Sequence, residues 1–283
     1  MIMKILDNIL LKGLHKKDIA VDIYFKESKQ PKPVIIFCHG FKGFKDWGAF
    51  SQMAKEFADA GFVFVKFNFS HNGTSISNPT EFVDLEAFGN NNFLIELDDL
   101  KVVIDNIFDK KLPIENAQID VSQLYLIGHS RGGGIAILKS AEDERIKKLI
   151  TWASVSEFGK FWSHTQMYEL RKNGVLMIPN ARTGQQMPIY AQLYETFSAN
   201  KDRLDIPSAC QQLNIPFCII HGDDDSTVDV SAANELKSLN PTSDLNITVK
   251  GDHTFGMKHP WEKDSLPKDL EEVIKISIDF LKR

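Results

Sequence analysis

The chain has 283 residues, 43% of them hydrophobic and 25% charged, with a formal net charge of −5. That balance excludes a disordered or collagen-like polymer, and the length admits one large α/β domain with an insertion or two small domains. The slight acidity offers no broad basic surface to nucleic acid.

In chain order, Ile19–Phe25 reads as part of an antiparallel edge ahead of a parallel sheet. The runs Val34–Cys38, Phe62–Phe67, Leu124–Ile127, Leu149–Ala153, Phe217–Ile220 and Ile247–Val249 follow as strands. Several are apolar almost throughout, as strands covered on both faces are. Between them stand helical candidates at Trp47–Ala60, Phe93–Phe108, Gly132–Ala141, Ala232–Leu239 and Lys268–Leu281. This alternation argues for a doubly wound α/β sheet. The rhythm breaks at 154–210. That stretch holds an aromatic helix candidate (Phe158, Phe161, Trp162, Tyr168), a hairpin of Val175–Ile178 with Gln186–Ile189, and a second helix candidate at Tyr190–Ala199. An insertion at the strand ends lies over whatever site the sheet presents, so 154–210 is expected to form a lid.

Twenty Phe against 4 Trp and 5 Tyr point to a large apolar core, an apolar pocket, or both. Cys38, Cys210 and Cys218 are odd in number and match no zinc spacing; buried structural thiols are expected rather than disulfides. The first residues are interrupted by Lys4, Asp7 and Lys12 and make a poor signal peptide. No run reaches the roughly 18 apolar residues of a membrane span. A cytoplasmic protein with no membrane partner is the expectation.

The sharpest motif is Gly128-His129-Ser130-Arg131-Gly132, between an apolar strand and a helix opening on Gly132-Gly133-Gly134. A strand–turn–helix of this kind lifts a serine hydroxyl above the sheet on a strained turn. Gly128 and Gly132 let strand and helix pass without Cβ clashes. Serine needs a base, and the base an orienting acid, in the order Ser, acid, His. Only His253 and His259 lie beyond the acidic run Asp223-Asp224-Asp225; His253, in a loop just past a strand, is favoured. Spacing alone does not choose among the three aspartates. They lack the Gly and Glu of a calcium loop, so no metal is expected. The oxyanion donors are expected from the amides of Arg131 and of Phe41, in His39-Gly40-Phe41-Lys42-Gly43-Phe44. Phosphate-binding P-loop and G-x-G-x-x-G patterns are missing, and no cofactor is expected.

Taken together, VIIFCHGFKG, LYLIGHSRGGG, CIIHGDDDSTV and GDHTFG resemble the α/β-hydrolase superfamily over essentially the whole chain. Within it the chain is similar to bacterial dienelactone-hydrolase-related and cinnamoyl-esterase-like proteins, and to prolyl-oligopeptidase-type catalytic domains. The resemblance implies one α/β-hydrolase domain over 1–283. Its mostly parallel, eight-stranded twisted sheet is flanked by helices and carries a helix–hairpin–helix lid. Matching the family's H-G-x-x-D-x-x-V loop puts the acid at Asp225, and the implied triad is Ser130, Asp225 and His253. Glu157 stands where some relatives carry the acid instead. Dienelactone hydrolases proper use a cysteine, so Ser130 favours ester chemistry. The implied function is a serine hydrolase acting on a small-molecule carboxylic ester through an acyl-enzyme. The Phe surplus, with Phe41, Phe44, Phe158 and Phe161 near the proposed site, favours an ester of a small to medium apolar or aryl acid. The alternatives are a peptidase or thioesterase on the same triad, or a silent binding protein. Phe44, Phe158, Trp162, Met187 and Tyr190 are the candidate substrate contacts, and the loop Phe69–Gly73 is either a further site loop or a plain turn. Lys42, Arg131 and Arg182 read as exposed cations, the alternative being contacts to an anionic substrate group. Oligomeric state is open, a homodimer included.

Overall fold

The apolar runs form the middle of a sheet in the computed structural model, which describes residues 2–159 and 163–283. The strands are β1 (Met3–Lys12), β2 (Asp18–Lys26), β3 (Lys32–Cys38), β4 (Val63–Phe67), β5 (Ile119–His129), β6 (Ile146–Trp152), β7 (Val175–Pro179), β8 (Gln186–Tyr190), β9 (Phe217–Gly222) and β10 (Asp244–Thr248). The helices are α1 (Phe50–Asp59), α2 (Leu85–Gly89), α3 (Phe93–Phe108), α4 (Arg131–Glu142), α5 (His164–Asn173), α6 (Gln192–Ala199), α7 (Ile206–Gln212), α8 (Ser231–Leu239) and α9 (Lys268–Lys282).

Eight strands join in the order β1-β2-β4-β3-β5-β6-β9-β10, while β7 and β8 pair apart as a hairpin. Only β1–β2 and β2–β4 run antiparallel; from β4 to β10 the sheet is parallel. Alternate residues of each strand enter different cores. Val34 and Ile36 share one core with Leu97, Leu100 and Ile104 of α3, whereas Ile35 and Phe37 share the other with Phe50, Met53 and Phe57 of α1. The last helix adds Leu270, Val273 and Ile274 to the second core. No helix among the described residues is long and apolar enough to cross a membrane.

Several boundaries differ from the sequence reading, each for a local reason. Helix α1 starts at Phe50, not Trp47, because Trp47 closes a turn onto the Phe44 carbonyl and Gly48 sits at φ +56°. The final strand is Asp244–Thr248, not Ile247–Val249. It is an edge strand with one neighbour, and Val249 beyond it is 74% exposed; apolarity there does not mark burial. Between β6 and β9 lie α5, the hairpin, α6 and the unanticipated α7. Phe158 precedes α5, whose start is fixed by a Ser163–Gln166 capping box. Phe161 and Trp162 lie outside the described residues.

One buried cluster was invisible to hydropathy. Lys66, in the middle of β4 and fully buried, pairs with Asp46 and Asp22. Lys45 Nζ lies 2.8 Å from Asp22 and 2.6 Å from Asp46. Burial opposes these charges, but mutual pairing outweighs it, holding Lys66 above and Asp46 below their ordinary ranges. This square of charges pins the loop after β3 to β2 and β4.

Candidate active site

Strand β5 ends at His129 and α4 begins at Arg131, so Ser130 alone makes the turn, at φ +55° and ψ −124°. A left-handed serine is strained and persists only where its surroundings over-determine it. The Ser130 N–H donates to the Trp152 carbonyl at 2.8 Å, and the Gly133 N–H donates to the Ser130 carbonyl. The glycines do the rest. A Cβ on Gly132 would collide with the carbonyl oxygens of Cys38 and His39, and one on Gly40 would fall 2.9 Å from the Ser130 Cβ.

The Ser130 hydroxyl lies 3.0 Å from His253 Nε2, and His253 Nδ1 lies 2.7 Å from Asp225 Oδ2. A carboxylate at Nδ1 holds the proton there and leaves Nε2 free to accept from Ser130. Asp225 is itself fixed, its Oδ1 accepting the N–H groups of Thr227 and Val228 at 2.8 and 2.9 Å. Burial opposes its ionisation, but bonds from His221, His253 and Val228 prevail and hold the carboxyl well below the usual carboxylate range.

Two further histidines support this chain. His129 Nε2 donates to the His253 carbonyl at 2.9 Å; burial, then the nearby His253 ring, push its pKa down to about 3, so it is neutral. His221, fully buried, donates from Nε2 to the Val228 carbonyl at 2.8 Å and lies 3.3 Å from Asp225. Neither role was anticipated, although both residues sit inside the quoted motifs, just before Ser130 and at the head of the aspartate loop. His39 is similar: Nδ1 donates to the Gly40 carbonyl while Nε2 accepts from the Phe69 N–H. Burial lowers its pKa to about 4.

Ser130 and His253 open onto a cavity of about 500 Å³. Phe41, Trp47 and Phe50 wall one part of it, and Ile178, Pro179 and Ile189 of the hairpin another. Lys42, Gln166, Thr227 and Thr254 supply the polar rim.

Residues 33–197 match the family model described as the alpha/beta hydrolase fold. The chain belongs to that family. It is 28% identical over 143 residues to “Putative esterase/lipase 2” of Mycoplasma pneumoniae, covering 50% of this chain and 45% of the relative. The namesake from Mycoplasma genitalium is 29% identical over 144 residues, covering 50% and 46%. The match thus spans about half of this chain and rather less than half of each relative. Among solved structures it is similar to an esterase domain from Rhodothermus marinus (TM-score 0.65, 17% identity, 100% and 99% covered). It is similar as well to ferulic-acid-bound Est1E from Butyrivibrio proteoclasticus (0.69, 18%, 97% and 98%). A dienelactone hydrolase from Anabaena variabilis aligns comparably (0.64, 13%, 99% and 97%). At such identities the likeness concerns the α/β-hydrolase fold.

Within this hydrolase fold, Ser130, Asp225 and His253 come together and Phe41 reaches the cavity beside them. Arg131 supplies the first amide of α4, in the turn whose N–H groups lack helical partners. The expected substrate contacts need correction. Phe44 is buried against Phe82 and His259, and Phe158 stacks on Phe93 with centroids 3.8 Å apart. Met187 is fully buried, and Tyr190 turns its hydroxyl to Glu86; none of these four lines the cavity. Trp162 is outside the described residues. The apolar walls come instead from Phe41, Trp47, Phe50 and the hairpin residues Ile178, Pro179 and Ile189; in the sequence Trp47 and Phe50 read only as the head of a helix. Glu157 lines a neighbouring cavity, while Asp225 meets His253. His259 Nδ1 accepts the Gly48 N–H at 3.0 Å, apart from the Ser130–His253–Asp225 chain. In the Phe69–Gly73 loop, Ser70 and Asn72 face a separate pocket. Arg131 is buried and paired with Glu96, not exposed. The three cysteines are free and buried; burial pushes the Cys210 and Cys218 thiols up to about 12.

Proposed function

We propose that this α/β hydrolase is a serine esterase acting through an acyl-enzyme on small-molecule esters of apolar or aryl acids. One observation carries the reading: an unbroken chain from Ser130 Oγ through His253 to Asp225, opening on an apolar cavity. Ser130 attacks the ester carbonyl as His253 Nε2 takes its proton. The tetrahedral oxyanion is met by the N–H groups of Phe41 and Arg131. His253 returns the proton to the departing alcohol, and a water activated by the same imidazole releases the acid. Asp225 keeps the imidazole in the accepting tautomer and stabilises its protonated form. Residues 154–210 act as a lid, whose hairpin side chains Ile178 and Ile189 shape the acyl or alcohol pocket. The apolar walls and the names of the Mycoplasma relatives favour esters.

The test is labelling with a fluorophosphonate, followed by turnover of 4-nitrophenyl esters of increasing chain length. Ser130→Ala should abolish labelling and lower kcat at least about a thousandfold. Full activity in that variant, or a label on another residue, sinks the reading. Aminoacyl anilides and acyl thioesters in the same panel should turn over more slowly than the esters; a preference for either reassigns the substrate class.

A further inference from the structure

The side chain that follows the nucleophile is an unusual occupant of a protein interior. Arg131 and Glu96, on the first turn of α3, are both buried, at 4% and 3% exposure. Arg131 Nε donates to Glu96 Oε2 at 3.0 Å. Its Nη2 lies 2.9 Å from Oε1, near enough for charge but out of line for a hydrogen bond. Asn91 Nδ2 donates to that same Oε1 at 2.8 Å. The guanidinium is stacked, its carbon 4.5 Å from the centroid of Phe93 and 5.1 Å from that of Phe41. Phe41 packs in turn on Phe88 at 5.5 Å.

A buried ion pair is a poor stabiliser, because apolar residues of the same volume fill such a space equally well. Its placement is more informative. Phe41 and Arg131 are the two residues whose backbone N–H groups are assigned to the oxyanion, and here their side chains lie in contact. One comes from the loop after β3 and the other from the start of α4. The β3–β5 ladder and the close passes at Gly40 and Gly132 hold the stems together, and beyond them the Phe41 and Arg131 side chains make the contact across the gap. The guanidinium spans that gap, and Glu96 with Asn91 holds it against α3, an element carrying no group of the proposed mechanism. Arginine's planar, always-charged fork suits this double duty of pairing and stacking better than lysine.

We infer that Glu96 and Arg131 form a positioning pair for the oxyanion hole, setting the separation of the Phe41 and Arg131 amides through the stacked guanidinium. The inference rests on the esterase reading for what the two amides bind. It belongs to the transition state, where displaced donors lower kcat and leave ground-state binding nearly unchanged.

Three variants test it: Glu96→Gln, Arg131→Lys, and the double variant Glu96→Leu/Arg131→Met, which removes both charges together. In a 4-nitrophenyl ester assay the double variant should fold and lose at least tenfold in kcat, with KM within about threefold. Affinity for an alkylboronic acid, which mimics the tetrahedral species, should fall in parallel. Arg131→Lys should be intermediate, and Glu96→Gln is decisive if it folds. A folded double variant with kcat and boronate affinity within twofold of the parent overturns the inference, even if its Tm drops. If the parent itself shows no Ser130-dependent turnover, the esterase reading fails separately. The pair is then judged by NMR: the backbone amides of Phe41 and Arg131 should shift together in the double variant, and unchanged resonances overturn it.

Discussion

Asp225 sits in an environment that leaves it little freedom. Its carboxylate meets two backbone N–H groups and two imidazoles, one of them reaching on to Ser130. With its pKa held well below the carboxylate range, it stays ionised through any assay near neutrality. An acid-side loss of rate there is not its titration. Asp225→Asn keeps the size but offers His253 a neutral partner that no longer fixes the Nδ1 proton. The expected cost is about 10⁴-fold in kcat with a smaller change in KM; steady-state kinetics across pH 6–9 check it, and a loss under tenfold would move the orienting role elsewhere. Much of this residue-level picture is readable in the linear chain, because an elbow, an aspartate loop and a late histidine must occur in fixed order on this topology. The cavity walls are not. Phe44 and Trp47 lie in one irregular loop, and which of them faces Ser130 depends on how that loop is tied down.

At the scale of elements, that tie is the charge square beneath the loop. Lys66 reads as a flaw in the apolar run of β4, and hydropathy contains no hint that Asp22, Lys45 and Asp46 meet it. Removing one member leaves a buried charge without its counterpart, which costs about 3–5 kcal/mol, whereas a neutral apolar replacement of a whole pair is far milder. Lys66→Met should therefore destabilise strongly in urea unfolding, and adding Asp46→Leu should recover part of the loss. Equal midpoints for parent and Lys66→Met would show the square to be energetically idle. The central strands are legible for the opposite reason. β3 and the core of β5 are apolar because helices cover both faces. The edge strand β10 misleads because Ile247 and Val249, at and just past its end, are exposed.

For the whole molecule, buried ionisable groups set the response to acid. Burial lowers the pKa of His39 and His71 to about 4 and of His129 to about 3. The unfolded chain takes up those protons near pH 6.5, so stability falls as pH drops below that value. Asp99 works against them. Burial raises its pKa to about 7, so the folded state holds a proton the unfolded chain releases above about pH 4, and acid favours folding by this group alone. Three histidines outweigh one aspartic acid, so these four groups together leave a net loss of stability as pH falls below about 6.5. Urea midpoints from pH 7.5 to 4.5 should fall, and Asp99→Asn should fall more steeply because the opposing titration is gone. A variant slope no steeper than the parent's would mean that Asp99 ionises normally in the fold.

The charge square also settles what can be cut away. The antiparallel hairpin of β1 and β2 hangs on the sheet's far margin and looks dispensable beside the catalytic strands. Yet it delivers Asp22, and the β1 backbone at Asn8 donates to that carboxylate at 2.8 Å. A version shortened to begin at β3 would strand two ammonium groups with one carboxylate under the Phe41 loop. The margin is thus a foundation for the reactive end, and a minimal enzyme built from this chain has to keep it.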